Sequence, residues 1–170
     1  MADANWYLVH SKPQQEERAR DHLLRQEYEA FLPRARVQVR RSGRFVRRIA
    51  PMFPRYLFVR LDTEHDDWSR IRSTFGVSTL VRFGNRPAVV PADLVASLYE
   101  AADAHGIVES LEPPDLEPGA RVRIVDGPLQ GYQGIVTASS GRERVHILLD
   151  LVNQHVHAQL STHQVVQVRA

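Results

Sequence analysis

The hydrophobic pattern divides this chain into two parts of different period. In the first part, strand-like and helix-like segments alternate. Trp6-Tyr7-Leu8-Val9-His10 is a compact apolar run that predicts a strand. Ser11 is a plausible helix N-cap, followed by Pro13 in the first turn, and the spacing predicts a helix to about Ala30. Val37-Gln38-Val39 and Phe45-Val46 flank Arg40-Arg41-Ser42-Gly43-Arg44, which predicts a hairpin with a basic tip. Tyr56 to Val59 is a strand, Asp66 to Ser73 a short helix, and Leu80 to Phe83 and Ala88 to Val90 strands around a turn containing Asn85. Pro91 opens a last helix with Leu94, Val95 and Leu98 on its apolar face, and Gly106 can end it. The order β-α-β-β-α-β-β-α predicts an α+β unit, an antiparallel sheet with helices mainly on one face.

The stretch from Gly106 to Glu117 carries Glu109, Glu112, Asp115 and Glu117 around Pro113-Pro114, and reads as an extended acidic linker. Beyond it the period is two. Val122 and Ile124 alternate with Arg121 and Arg123, Gly127-Pro128 forces a turn, and Gly131 and Gly134 suit close backbone approach. Val145, Ile147, Leu149 and Leu151 share one strand parity. Val156, Ala158 and Leu160, then Val165, Val166 and Val168, mark two more strands. Several short strands in so few residues predict a small, partly open barrel. The expected organisation is therefore residues 1–105 as the α+β domain, 106–117 as the linker and 118–170 as the barrel.

Two patterns in the first part exceed what folding requires. In the strand from Tyr56 to Leu61, both faces are apolar: Leu57, Val59 and Leu61 on one, Tyr56 and Phe58 on the other. One face packs against helices; the other needs a covering domain or a partner. In the first helix Gln15, Arg18, His22 and Gln26 are spaced by 3, 4 and 4 residues and fall within a stripe roughly 80° wide. That stripe, with Lys12 just before it, offers donors for phosphates and base edges. A solvated helix face has the same composition, so the pattern alone does not decide.

Charge sharpens this reading. The net formal charge is +2, but residues 1–60 carry +7, residues 61–117 carry −7 and residues 118–170 carry +2. A basic first third is a possible nucleic-acid footprint. The chain has no cysteine, which excludes disulfides and thiolate metal sites and fits a cytoplasmic setting. No apolar run reaches membrane-spanning length, and no signal peptide is expected. His155 and His157 share a strand parity, with His146 and His163 elsewhere in the barrel, but no acidic partner is spaced for a metal site. No nucleophile elbow, phosphate loop or paired-carboxylate motif is present. The expectation is a non-enzymatic protein with no cofactor, and a monomer.

The glycine-spaced segment through Gly127, Gly131 and Gly134 resembles a KOW motif. Together with Trp6-Tyr7-Leu8, the run Phe53-Pro54-Arg55-Tyr56-Leu57-Phe58-Val59, Gly76-Val77-Ser78 and Pro87-Ala88-Val89-Val90-Pro91, it makes nearly the whole chain resemble the NusG family of transcription elongation factors. Within the family the resemblance lies nearest the specialised RfaH branch. It implies that His10, Tyr56, Phe58 and Phe83 dock on the clamp helices of RNA polymerase. It also implies that Lys12, Gln15, Arg18, His22, Gln26 and Thr74 contact exposed non-template DNA. Phe75 stands where RfaH has an arginine, with Arg72 nearby as a candidate compensation; an exposed Phe75 could stack on a base. Asp67-Trp68-Ser69 also departs from the RfaH pattern towards general NusG proteins, and Trp68 is expected in the core.

The resemblance further implies that the KOW barrel recruits ribosomal protein S10 or a termination factor. In RfaH the same domain can instead fold as a helical hairpin that masks the docking face. Arg144 matches a basic residue that secures that form, but Ala50 replaces its acidic partner, and Leu129 and Val136 replace phenylalanines. With dense β-branching from 145 to 168, the expectation is a barrel. The implied function is antitermination and suppression of pausing. The alternatives are a general NusG-type factor coupling polymerase to ribosome or termination factor, and an RNA-binding, ribosome-associated KOW protein.

Overall fold

A computed structural model describes residues 4–108, 132, 134–136, 138 and 140–168, with the backbone alone for 38–40 and 156–168. Its centre is an antiparallel sheet in the order β2 (Glu29–Phe31), β5 (Tyr56–Leu61), β1 (Asn5–Ser11), β6 (Val77–Leu80), with β9 (Val89–Val90) also paired to β1. β1 is central because it is apolar on both faces: Leu8 points to one side and Tyr7 and Val9 to the other, all buried. β5 lies beside it in register from Asn5↔Leu61 to His10↔Tyr56.

Each face carries its own core. Tyr7, Val9, Leu57, Val59 and Leu61 pack against Ala19 and Leu23 of helix α1 (Glu16–Arg25) and against Ile71 of a 3-10 helix, Trp68–Ser73. Leu8, Phe58 and Val90 pack against Leu94, Val95 and Leu98 of helix α2 (Ala92–Ala101). The helices therefore cover both faces rather than mainly one, because the double-sided apolar strands demand it.

A second sheet joins β3 (Arg34–Arg41), β4 (Arg44–Pro51) and β10 (Ile107–Val108), β10 running parallel to β3. Ile107 and Val108, at the head of the expected linker, are thus strand residues. The β3–β4 turn is Ser42-Gly43, both at positive φ, the conformation that suits the twist of a two-residue hairpin. β7 (Arg82–Phe83) and β8 (Arg86–Pro87) form a small third hairpin.

Three further sequence expectations are corrected. Ser11 does not cap α1: it ends β1, its N–H donating to the Arg55 carbonyl (2.8 Å) and its hydroxyl to the Lys12 carbonyl (3.0 Å). The helix starts at Glu16 and stops at Arg25, where Glu27 takes a positive φ, and Glu29–Phe31 returns as β2. The largest correction concerns the C-terminal part. Residues 141–168, read as barrel strands, are one helix, α3 (Gly141–Val168). Gly134 lies in a helical turn, 134–136, where a Cβ would meet Ile147 at 3.6 Å, rather than at a strand crossing. Gly127 and Gly131, the other two KOW glycines, lie outside the described residues, as does Leu129.

The reason is visible in α3. Ser140 accepts from the Glu143 N–H (3.2 Å) through its side chain, and the Arg144 N–H donates to its carbonyl (3.1 Å). Ser140-Gly141-Arg142-Glu143 has the S-x-x-E form of a helix start. Arg144, Leu148 and Val152 then recur every four residues and are buried.

Candidate functional site

The four residues expected to dock on polymerase come from β1, β5 and β7. His10 and Tyr56 are cross-strand partners whose rings lie 4.9 Å apart. Burial, and secondarily the Arg55 charge, hold the His10 imidazole below its ordinary pKa. Phe83 is exposed on the small hairpin. Phe58 is fully buried and Tyr56 half-buried, because the second face of β5 already has a cover. Leu148 and Val152 of α3, with Ile135, join the cluster of Phe53, Phe58, Leu94 and Val90. Tyr132, Val145, Ile147, Leu149 and Leu151 pack at its edge.

Arg144 secures the start of this contact. It is 4% exposed, and its Nε donates to the Met52 carbonyl at 2.7 Å. A backbone acceptor takes the role of the carboxylate that Ala50 lacks, and burial lowers the guanidinium's pKa. Gly141 rests on Pro54 so closely that a Cβ would come within 2.7 Å of the proline ring.

The second surface is built by α1 and the loop after the 3-10 helix. Gly76, at φ +85°, lets that loop press against α1: a Cβ there would meet the Ala19 nitrogen at 2.7 Å. The Lys12 N–H donates to the Gly76 carbonyl (2.8 Å). Thr74 is buried; its hydroxyl donates to the Arg70 carbonyl (3.0 Å) and accepts from Gln26 Nε2 (2.8 Å). Phe75 projects outward, 63% exposed. The Arg18 guanidinium lies 5.3 Å from its ring centre and the His22 ring 5.2 Å away. Arg18, His22, Gln26, Thr74 and Phe75 thus form one patch, with Lys12 and Gln15 at the helix start. Phe75 occupies this surface as a ring between a cation and an imidazole, a geometry suited to stacking on a base.

Arg72 faces a different hollow, of about 520 Å³, shared with His10, Tyr56, Thr79 and Arg82. It stands with His10 and Tyr56 rather than in the Phe75 patch. Trp68 is half-buried at the edge of the first core rather than inside it, with the Arg82 guanidinium 5.4 Å from its ring centre.

Sequence reasoning passed over two positioning residues. Glu16 is buried and accepts from the Arg55 N–H (3.0 Å), holding Arg55 at a positive φ between Phe53 and Tyr56. Gly76 stands out in the sequence only through the family resemblance; its contact with α1 could have been suspected from a glycine next to an exposed aromatic. Among the described residues, one group could offer three metal ligands, Asp62, Glu64 and His65, and this turn is already held by its own hydrogen bonds, the Glu64 N–H and the His65 ring both bonding to the Asp62 carboxylate.

Comparison with known proteins settles the family. The sequence profile described as "Transcription termination factor nusG" matches residues 4–99, more than half of the chain. The chain belongs to the NusG family. The transcription termination/antitermination protein NusG of Deinococcus radiodurans is 27% identical over 188 residues, covering 95% of this chain and 98% of that protein. Its namesake from Thermus thermophilus is 26% identical, covering 95% and 97%. A solved structure described as "Domain interaction in Thermotoga maritima NusG" has 21% identity and a TM-score of 0.46, over 75% of this chain and 76% of that one. The family profile and the names of the relatives support a NusG-type transcription factor. No helix among the described residues is long and apolar enough to cross a membrane.

Proposed function

We propose that this NusG-family protein is a transcription elongation and antitermination factor of the specialised kind, held closed by its own C-terminal helix. The observation that carries the reading is that Leu148 and Val152 of α3 share one buried cluster with Phe58, with Tyr56 packed at its edge. An apolar strand face that would seat a polymerase helix is occupied by an intramolecular one. In the open state His10, Tyr56, Phe58 and Phe83 dock on the clamp helices of RNA polymerase. Lys12, Gln15, Arg18, His22, Gln26 and Phe75 contact non-template or upstream DNA, with buried Thr74 positioning Gln26 from behind and Arg72 standing beside His10 and Tyr56. Bridging the cleft in this way suppresses pausing and termination. Once released, residues 118–170 adopt the KOW barrel that their β-branched content favours and recruit ribosomal protein S10 or a termination factor.

A general NusG role is the second reading. Trp68 packed against the edge of the first core, Phe75 in place of arginine and the names of the relatives favour it.

Single-round transcription with the cognate polymerase separates the two. Pause escape should quicken on templates carrying one particular element and not on others, and Phe75→Ala should abolish that selectivity. Equal acceleration on every template would establish the general role; no polymerase binding by wild type or by a variant with α3 displaced would sink both.

A further inference from the structure

The β3–β4 hairpin takes no part in either surface above, yet it concentrates the chain's positive charge. Residues 34–51 contain seven arginines and no carboxylate. At its root the hairpin is anchored: Arg34 bonds to Glu17 (3.3 Å) and to the His105 carbonyl (2.7 Å), and among the described residues β10 meets β3 at Arg34 and Ala35. From residue 36 outward β3 has β4 as its strand neighbour, through the pairs Arg36↔Ile49 to Arg41↔Arg44. Eight residues per strand span about 26 Å. A two-stranded ribbon of this kind is marginal in isolation, which suits an element stabilised by what it binds.

The distribution of charge identifies the ligand. Cross-strand register puts Arg41, Arg44 and Arg48 on one face and Arg47 on the other, all exposed. A ribbon lying flat on an acidic protein needs cations on one face. A ribbon charged on both faces fits a space walled by anions on both sides. The major groove of B-form DNA is such a space, wide enough for a two-stranded ribbon. The deep, narrow major groove of A-form RNA is not. Phe45 is 73% exposed, with Val46 and Ile49 also exposed, a large apolar display for a ribbon tip. In the groove these side chains would meet thymine methyls and base edges.

We infer that the β3–β4 ribbon is a second nucleic-acid element, which enters the groove of duplex DNA and neutralises phosphates on both walls. This rests on the reading of the chain as a DNA-contacting factor, but not on the α1 patch.

Fluorescence anisotropy of the full-length protein with a labelled DNA duplex, across a salt series, tests it. The triple variant Arg44→Ala, Arg47→Ala, Arg48→Ala should bind at least tenfold more weakly at low salt. The slope of log affinity against log salt should shrink by about 2–3, near 0.9 for each phosphate that is no longer neutralised. The corresponding triple lysine variant should keep most of the affinity and slope. Binding of a single-stranded probe should fall with Phe75→Ala and remain in the ribbon variant, so failure of the α1 reading and failure of this one give different patterns. Unchanged duplex affinity and slope in the alanine variant would overturn the proposal. So would a parallel fall in duplex and single-strand binding, or equal binding of an RNA duplex by the wild type.

Discussion

At the scale of single residues, the two surfaces depend on backbone positions as much as on the side chains that reach outward. Gly76 is the clearest case. Its positive φ and the 2.7 Å approach to the Ala19 nitrogen leave no room for a Cβ, and the obstacle is helix backbone, which cannot yield as a side chain would. Gly76→Ala should therefore destabilise the fold by about 1–3 kcal/mol, read as a lower urea midpoint with unchanged slope. An unaltered midpoint would show that the loop can lift from α1 at no cost. His10 supplies a pH-dependent term. Its imidazole titrates below 6.5 in the folded protein, first because of burial and second because of Arg55. The unfolded chain then takes up the proton first. The stabilisation is complete above pH 6.5 and is lost as pH falls through the folded value. Thermal midpoints measured between about pH 7.5 and 5.5 should fall more for wild type than for His10→Gln. Parallel falls would assign the pH dependence to other groups.

At the scale of elements, β1 and β5 were legible because each is a concentrated apolar run, whereas β2, read as the end of the first helix, and β10, read as the head of the linker, were not. The two-sided strand at Tyr56 was read correctly as needing a second cover. The boundaries of α1 were not legible: Ser11 looks like a cap but is recruited by the Arg55 carbonyl, a partner distant in sequence. The Lys12–Gln26 stripe was readable from its spacing, whereas the way Phe75 joins it depends on the Gly76 contact. The C-terminal segment carries both periods at once. Val145, Ile147, Leu149 and Leu151 satisfy period two, while Arg144, Leu148 and Val152 satisfy a helical repeat, so periodicity alone is ambiguous. Ser140 and Glu143 were the local signal that favoured helix. Removing that cap should weaken α3 alone. Ser140→Ala costs about 1 kcal/mol at a helix start, so amide exchange along the first turns of α3 should quicken about fivefold. Amides of β1 and β5 should keep their rates. A uniform change across the sheet would mean that α3 and the first domain open as one unit.

At the scale of the whole molecule, what matters is how firmly α3 holds the face it covers. Each buried apolar side chain of the Leu or Val size contributes about 1.5–3 kcal/mol, and the docked segment presents three fully buried ones, Ile135, Leu148 and Val152. Against this stand the ordering of a long helix and the desolvation of Arg144, whose guanidinium finds a carbonyl rather than a carboxylate. The first domain keeps its other core, built on Leu57, Val59, Ala19 and Leu23, whether or not α3 is docked. Detachment should thus precede unfolding of the sheet. In urea, helical circular dichroism should be lost in two steps, the first without change in the exchange protection of β1. Leu148→Glu forfeits the buried leucine and sets a carboxylate into the cluster of Phe53 and Phe58, so it should remove the first step altogether. The same variant should bind core RNA polymerase at least tenfold more tightly than wild type, because the docking face is then free without competition from α3. A single cooperative transition in both proteins, with equal polymerase affinity, would mean that α3 completes a permanent core and masks nothing.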